Sequence, residues 1–278
     1  MKTLKLVAVL GAAGVALGWA AEAHAQSAPP ARAAPASMRV PRDTAPMIDT
    51  NAVNALRRMG TYLRTLNAFH IEADVTTEEV LGDGQKVQLE NHVELVASRP
   101  NKLRVELNSD RKQRLFTFDG KDFTLFAPRQ KFYSTIPAPG TINDLAKLLE
   151  DKYAVDLPLV DLFRWGTNDE MFRAIRAAKD LGPSTIDDIT TTHYAFRQDG
   201  LDWQVWIQNG AHPLPLKIVL TTLTDDARPQ HTAQYSWNLA PSYNDAAFAM
   251  QPPNDFKKIA MAEVAATRNT GNPGGSNP

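Results

Sequence analysis

The alternation of residues 69–95 constrains the fold more than any other feature of this chain. In "FHIEADVTTEEVL", Phe69, Ile71, Ala73 and Val75 alternate with His70, Glu72 and Asp74, and beyond "GDG" the series resumes at Val87, Leu89, Val93 and Leu95. A period of two marks strands with one face buried and one face wet. Both apolar sets are odd-numbered, so residues facing each other across a hairpin must sum to an even number. A two-residue Asp-Gly turn gives an odd sum and sets one strand's apolar face against the other's polar face. The pattern therefore selects a three-residue loop over 82–84, where glycine accepts positive φ.

The same alternation continues. "KLRVELNS" carries Leu103, Val105 and Leu107; "RLFTFDG" carries Phe116 and Phe118; "KDFTLFAP" carries Phe123 and Leu125 behind a tight turn; and "KFYSTIP" reads as a short edge strand that stops at Pro137. Strands joined by consecutive hairpins make an antiparallel meander with one dry face, and the sheet is expected to be antiparallel throughout. After a helical middle the strands resume with "THYAFRQDG", "DWQVWIQNG", "PLPLKIVLTTL" and "QHTAQYSWNL". In the hairpin around Gly210, inward Trp203, Val205 and Ile207 must face inward Leu214, Leu216, Ile218 and Leu220. Odd then meets even, which predicts an even loop, most simply the four residues 209–212, and puts Trp206 on the opposite face from Trp203. Pro213 and Pro215 point to an edge or a mouth there.

Helices are expected at both ends of the first meander. "DTNAVNALRRMGTYLRTL" spaces Val53, Leu56, Met59 or Gly60, Leu63 and Leu66 at three and four residues, with Asp49 or Thr50 as N-cap. "TINDLAKLLEDKY", "DLPLVDLFRWG" and "NDEMFRAIRAAKDLG" read as three short helices, the last ended by Gly182-Pro183. A sheet of this many strands must curl. The fold class is thus α+β: a curled antiparallel sheet forming an incomplete β-barrel, with helices filling the concave side.

The two ends read differently from the middle. Residues 1–25 have the form of a signal peptide: Lys2 and Lys5, an apolar run over 6–20, and Ala23-His24-Ala25 as cleavage site. Residues 26–46 and 265–278 are rich in Ala, Pro, Ser, Gly and Asn, bury too little to order, and read as leader and tail of one domain over 47–264. The chain has no cysteine, so neither a disulfide nor lipidation of an N-terminal thiol is available. Losing Lys2, Lys5 and Glu22 with the signal peptide turns a formal charge of −1 into −2. No basic surplus draws the chain to nucleic acid, and no transmembrane span is expected in the mature protein.

No catalytic constellation stands out. His70, His92, His193, His212 and His231 are scattered without ligand spacing, no G-x-S-x-G occurs, and no metal or cofactor is expected. Asp161, Arg164, Asp169 and Glu170 beside Trp165 could do acid–base work; a helix end with solvated charges explains them more simply. The aromatics of the dry face carry more weight, because a curled sheet with few helices to fill it tends to keep a pocket at its mouth. The expected wall is Phe116, Phe118, Phe123, Val205, Ile207, Ile218, Tyr235 and Trp237, continued by Val75, Leu95 and Val105. The expected lid is the apolar stripe of Leu159, Leu162 and Phe163, with Trp165.

The run "LDWQVWIQNGAHPLPLKIVL" resembles the hairpin of the LolA/LolB-like lipoprotein carriers. "FAMQPPNDFKKI" is similar to the closing F-x-x-x-P-P segment of that superfamily, and "RPNKLRVEL" to its third strand. The whole chain is similar to a family of predicted periplasmic proteins grouped with those carriers. The resemblance implies a periplasmic, non-enzymatic half-barrel whose apolar cavity takes a lipid, an acyl chain or another apolar small molecule. A non-enzymatic envelope protein, structural or partner-binding, with a solid core is the second expectation, and a hydrolase the third.

Overall fold

The computed structural model describes residues 47–166 and 169–263. The expected leader, signal peptide and tail lie outside them. Helix α1 (Thr50–Thr65) is capped by Asp49, whose carboxylate accepts from the backbone of Asn51, and buries Ala52, Ala55, Leu56, Met59, Gly60 and Leu63. The meander follows: β1 (Ala68–Val80), β2 (Lys86–Ser98), β3 (Lys102–Asn108), β4 (Gln113–Phe118), β5 (Asp122–Ala127) and β6 (Phe132–Pro137). Next come α2 (Ile142–Leu148), capped by Thr141 in a reciprocal capping box with Asp144, a wide π-helical turn Leu149–Tyr153, and the short α3 (Asp161–Arg164) and α4 (Glu170–Ala174). A second meander, β7 (Ala177–Ile186), β8 (Ile189–Gln198), β9 (Leu201–Gln208), β10 (Pro215–Thr222) and β11 (Gln230–Asn238), is followed by the two-residue β12 (Lys257–Lys258).

All twelve strands share one sheet in the order β12-β6-β5-β4-β3-β2-β1-β11-β10-β9-β8-β7, which does not close. The first and last long strands, β1 and β11, meet in its middle, joining the two meanders. Parity is as the alternation predicts: Ile71 faces Leu95 and Val75 faces Asn91, and Leu81 N–H donating to Gln85 O at 2.8 Å closes a three-residue loop with Gly84 at φ +86°. One concave row runs Phe69, Ala97, Leu103, Phe118, Phe123 and Ile136 across β1 to β6, every member buried. α1, α2 and α3 pack into the same apolar core.

Five expectations are corrected. The sheet is not antiparallel throughout: β12 pairs with β6 in parallel, and Ile48 makes a parallel bridge to Ala178. Both parallel pairings are stubs laid on an edge by a passing chain, so neither needs a crossover helix, and the eleven long strands remain antiparallel. Residues 177–186 form strand β7, not a helix. Its Pro183 and the bulge between Asp180 and Gly182 are tolerated because β7 is an edge. β10 is not an edge; it lies between β9 and β11, with Pro215 as its first residue. Its loop holds five residues, 209–213, closed by Gln208 N–H to Leu214 O at 2.8 Å. The register slips by one at Pro215 and Lys217 before Ile218 comes to face Val205 with the predicted odd parity. Finally, the convex face is partly dry. Leu115, Thr117 and Phe126 are buried there; Phe256 meets Phe126 edge-on, and the turn Asp245–Phe248 packs on β3.

Candidate functional site

The concave core is solid at one end and hollow at the other. A cavity of about 940 Å³ lies beyond the row of Ile71, Leu95 and Val105, where β1, β2, β10 and β11 run on past the helices. Its floor carries Val75, Val93, Leu107, Phe116, Leu125, Trp203, Ile218, Leu220, His231 and Tyr235. Its cover is the segment 154–165, irregular from the end of the π-helical turn up to and including the short α3. That segment is held awkwardly. Ala154 and Leu159 sit at φ +49° and +60°, left-handed values that cost a non-glycine residue roughly 1–2 kcal/mol. Gly166 behind it, at φ +70°, passes so close to Gly60 of α1 that a Cβ on Gly60 would stand 3.1 Å from the Gly166 nitrogen.

Of the expected wall, the structure brings Val75, Phe116, Ile218 and Tyr235 to the cavity. Leu95, Val105, Phe118, Phe123, Val205 and Ile207 pack instead in the solid core, because their rows lie under the helices. Trp237 is also away from the cavity; its ring lies 5.7 Å from Phe69 and its indole N–H donates to Pro215 O at 2.8 Å. Of the expected lid, Leu159, Leu162 and Trp165 border the cavity, while Phe163 turns into the core against Phe69. Trp203, Leu107, Leu125, Leu157, Met171 and His231 were not in the expected set. Trp203 was visible in the sequence as an inward aromatic; the others needed the sheet order.

The expected acid–base group is split. Asp169 turns outward to an ion pair with Arg57 at 3.1 Å, whereas Asp161 and Arg164 border the cavity with Glu150 and Asp156. Arg164 Nη2 stands 2.6 Å from Glu150 and its Nη1 3.7 Å from Asp161. Burial, only partly offset by Arg164 and reinforced by Glu150 and Asp156, pushes the Asp161 carboxyl up to about 6. Protein encloses this side chain, yet 41% of it is accessible, because it opens onto the cavity. Asp156 is pushed up as well, by burial and then by Glu150. Burial, then the Asp161 charge, holds the Tyr235 phenol above its ordinary value. His231, bonded to Thr77 at 2.9 Å, is held below its ordinary value by burial. The indole N–H of Trp203 has no acceptor among the described residues.

Among the described residues no three His, Asp or Glu side chains are grouped to hold a metal ion. No helix among them is long and apolar enough to cross a membrane.

The chain is similar to several solved structures at low identity. The lipoprotein LppX of Mycobacterium tuberculosis is 14% identical with a TM-score of 0.45, over 70% of this chain and all of that one. A LolA superfamily protein of Nitrosomonas europaea is 12% identical with a TM-score of 0.33, over 71% and 96%. The MucA/MucB complex of Pseudomonas aeruginosa matches at 14% and 0.35, over 76% and 64%. No curated protein matches the sequence. The family model described as predicted periplasmic protein (DUF2092) matches residues 52–262, and the chain belongs to that family.

Proposed function

We propose that this protein is an exported periplasmic binding or carrier protein for a lipid, acyl chain or other apolar ligand, without catalytic activity. One observation carries the reading: a cavity of about 940 Å³, at the upper end of the range typical of ligand sites, open between a curled sheet and a short irregular cover and floored mostly by aliphatic and aromatic side chains. A core of this size would close if it served only stability, since empty space in an interior costs free energy in proportion to its volume. In this reading Val75, Phe116, Ile218 and Tyr235 contact the ligand, and Leu159, Leu162 and Trp165 close over it. Leu95, Val105, Phe118, Phe123, Val205, Ile207, Phe163 and Trp237 hold the frame. Residues 1–25 are a cleaved signal peptide, 26–46 and 265–278 a leader and tail, and the unlipidated domain over 47–264 works in the periplasm.

The test is organic extraction and mass spectrometry of the protein purified from an envelope fraction, paired with displacement of a fluorescent fatty-acid probe. Co-extracted amphiphile and saturable displacement are expected. A protein that extracts clean and takes up no probe overturns the carrier reading in favour of a protein-binding envelope factor.

A further inference from the structure

The cavity is not uniformly apolar. One stretch of its wall carries three carboxyl groups, Glu150, Asp156 and Asp161, against the single cation Arg164. Arg164 meets Glu150 at 2.6 Å but stays 3.7 Å from Asp161, beyond hydrogen-bonding reach. Asp156, more exposed than Asp161, lies on the same wall, where burial and then the Glu150 charge push its carboxyl up against the attraction of Arg164. The wall therefore holds more negative charge than the protein neutralises.

Aromatic faces border the same space. Trp165 follows Arg164 directly and meets Trp203 edge-to-face at 5.6 Å, and Tyr235 is close enough to feel the Asp161 charge. Carboxylates beside aromatic faces in one cavity form the combination that recognises an ammonium group. An anionic head would meet repulsion there and no free donor fork. At the far rim the basic Arg111, Lys112 and Arg114 are balanced by Glu79, Glu90 and Asp110, so the rim does not reverse this preference.

We propose, resting on the carrier reading, that the cavity selects amphiphiles with a cationic amine head. The ammonium sits against Asp161 and Asp156 beside the rings of Trp165 and Tyr235, and the alkyl chain lies along Val75, Phe116 and Ile218.

The experiment ranks three ligands of one chain length, dodecylamine, dodecanol and laurate, by displacement of a neutral fluorescent alkyl probe at neutral pH, each below its micelle-forming concentration. Dodecylamine is expected to bind about tenfold or more tighter than dodecanol, and laurate weakest, from one charge-assisted contact in a partly dry site. Asp161→Asn should bring dodecylamine down to the level of dodecanol, collapsing the ratio between the two. Asp188→Asn, the same charge change at an exposed turn residue with φ +63°, should alter nothing. Laurate binding as tightly as dodecylamine overturns the proposal, as does an amine preference that survives Asp161→Asn. If Asp161→Asn does not fold, the wild-type ranking decides alone. Equal binding of all three ligands sinks the headgroup assignment and keeps the carrier. Failure of all three, dodecanol included, sinks the carrier reading and the assignment with it.

Discussion

Two halves of one concave face behave differently. In the row Phe69, Ala97, Leu103, Phe118, Phe123 and Ile136, every residue is buried, and α1 and α2 bring whole apolar stripes down onto the same core. A few residues further along β1, the row through Val75 and Asn91 has above it only residues 154–165, with one four-residue helix and two acidic side chains. The strands are also more polar there: Asn91 faces Val75, and Thr77, Gln88 and Glu90 border the cavity. The cover differs in kind: α1 is a regular helix that buries five side chains and Gly60 along one face, whereas the irregular strap buries Leu157, Val160, Leu162, Phe163 and Trp165 and brings the carboxyls of Asp156 and Asp161 with them. The hollow thus goes with polar residues on both of its walls, on the strands and in the strap.

The sharpest way to break this comparison is to make the same aromatic truncation in each half. Phe123, fully buried in the solid row, should lose about 3–5 kcal/mol on Phe123→Ala, with ligand uptake intact in whatever remains folded. Phe116 sits seven residues earlier, at the cavity edge, with one side unpacked. Phe116→Ala should cost about 1–2 kcal/mol of stability, since part of its surface has no partner to lose, and weaken apolar probe binding in addition. Denaturant melts and probe titrations on both variants decide it. Equal stability losses with no binding defect at Phe116 would mean that the two halves are one solid core.

How far this division was legible in the sequence follows from particular residues. The even parity of Ile71 and Leu95, and the odd parity of Val205 and Ile218, predicted the pairing of both central hairpins from alternation alone. β7 was not legible. "AAKDLGPSTI" is rich in helix formers, shows no clean alternation, and contains a Gly-Pro that reads as a stop. It becomes a strand because the edge of β8 is available, and an edge forgives Pro183. The wall set was legible only as to face. Alternation marks Phe118, Val205 and Phe116 alike as inward, but which rows the helices cover depends on the path of α1 and α2, for which the local sequence has no period. Of the strap's stripe Leu159, Leu162 and Phe163, marked in the sequence because it had no other obvious surface to cover, the first two border the cavity and Phe163 turns into the core. The role of Asp161 was not legible, because its weight comes from burial beside Glu150 and Asp156, which only the folded chain brings about.

Asp161 supplies a pH-dependent version of the same comparison. Its carboxyl titrates near 6 in the folded protein and at the ordinary lower value when unfolded. Below the unfolded value both states are protonated, and the group's favourable contribution is fully present; it is lost as pH rises to the folded value, because the unfolded chain ionises first. A displacement of this size corresponds to about 3 kcal/mol for a dry site, and the access to the cavity that leaves the side chain 41% exposed reduces it to about 1 kcal/mol. Asp161→Asn should therefore stabilise the protein by about 1 kcal/mol above pH 7 and converge with wild type near pH 4. Thermal melts across that range test it, and a variant that tracks wild type at every pH would show the carboxyl to be fully solvated.

The smallest expected effect on stability is also the cleanest probe of the hollow half. Leu107 on β3 borders the cavity and is only partly buried, with Val93 facing it across the ladder. Leu107→Trp adds a large ring at a place where space already exists. In a filled core the same enlargement strains rotamers and costs about 1–3 kcal/mol. Here the added ring displaces cavity volume and not neighbours, so the melting curve should move by less than about 1 kcal/mol while probe uptake falls sharply. The matched substitution Leu103→Trp, in the solid row of the same strand, should do the reverse, with a large loss of stability and unchanged uptake in the folded fraction. A Leu107→Trp protein that is badly destabilised, or that still takes up the probe at wild-type affinity, would place the ligand somewhere other than the space between the strap and the sheet.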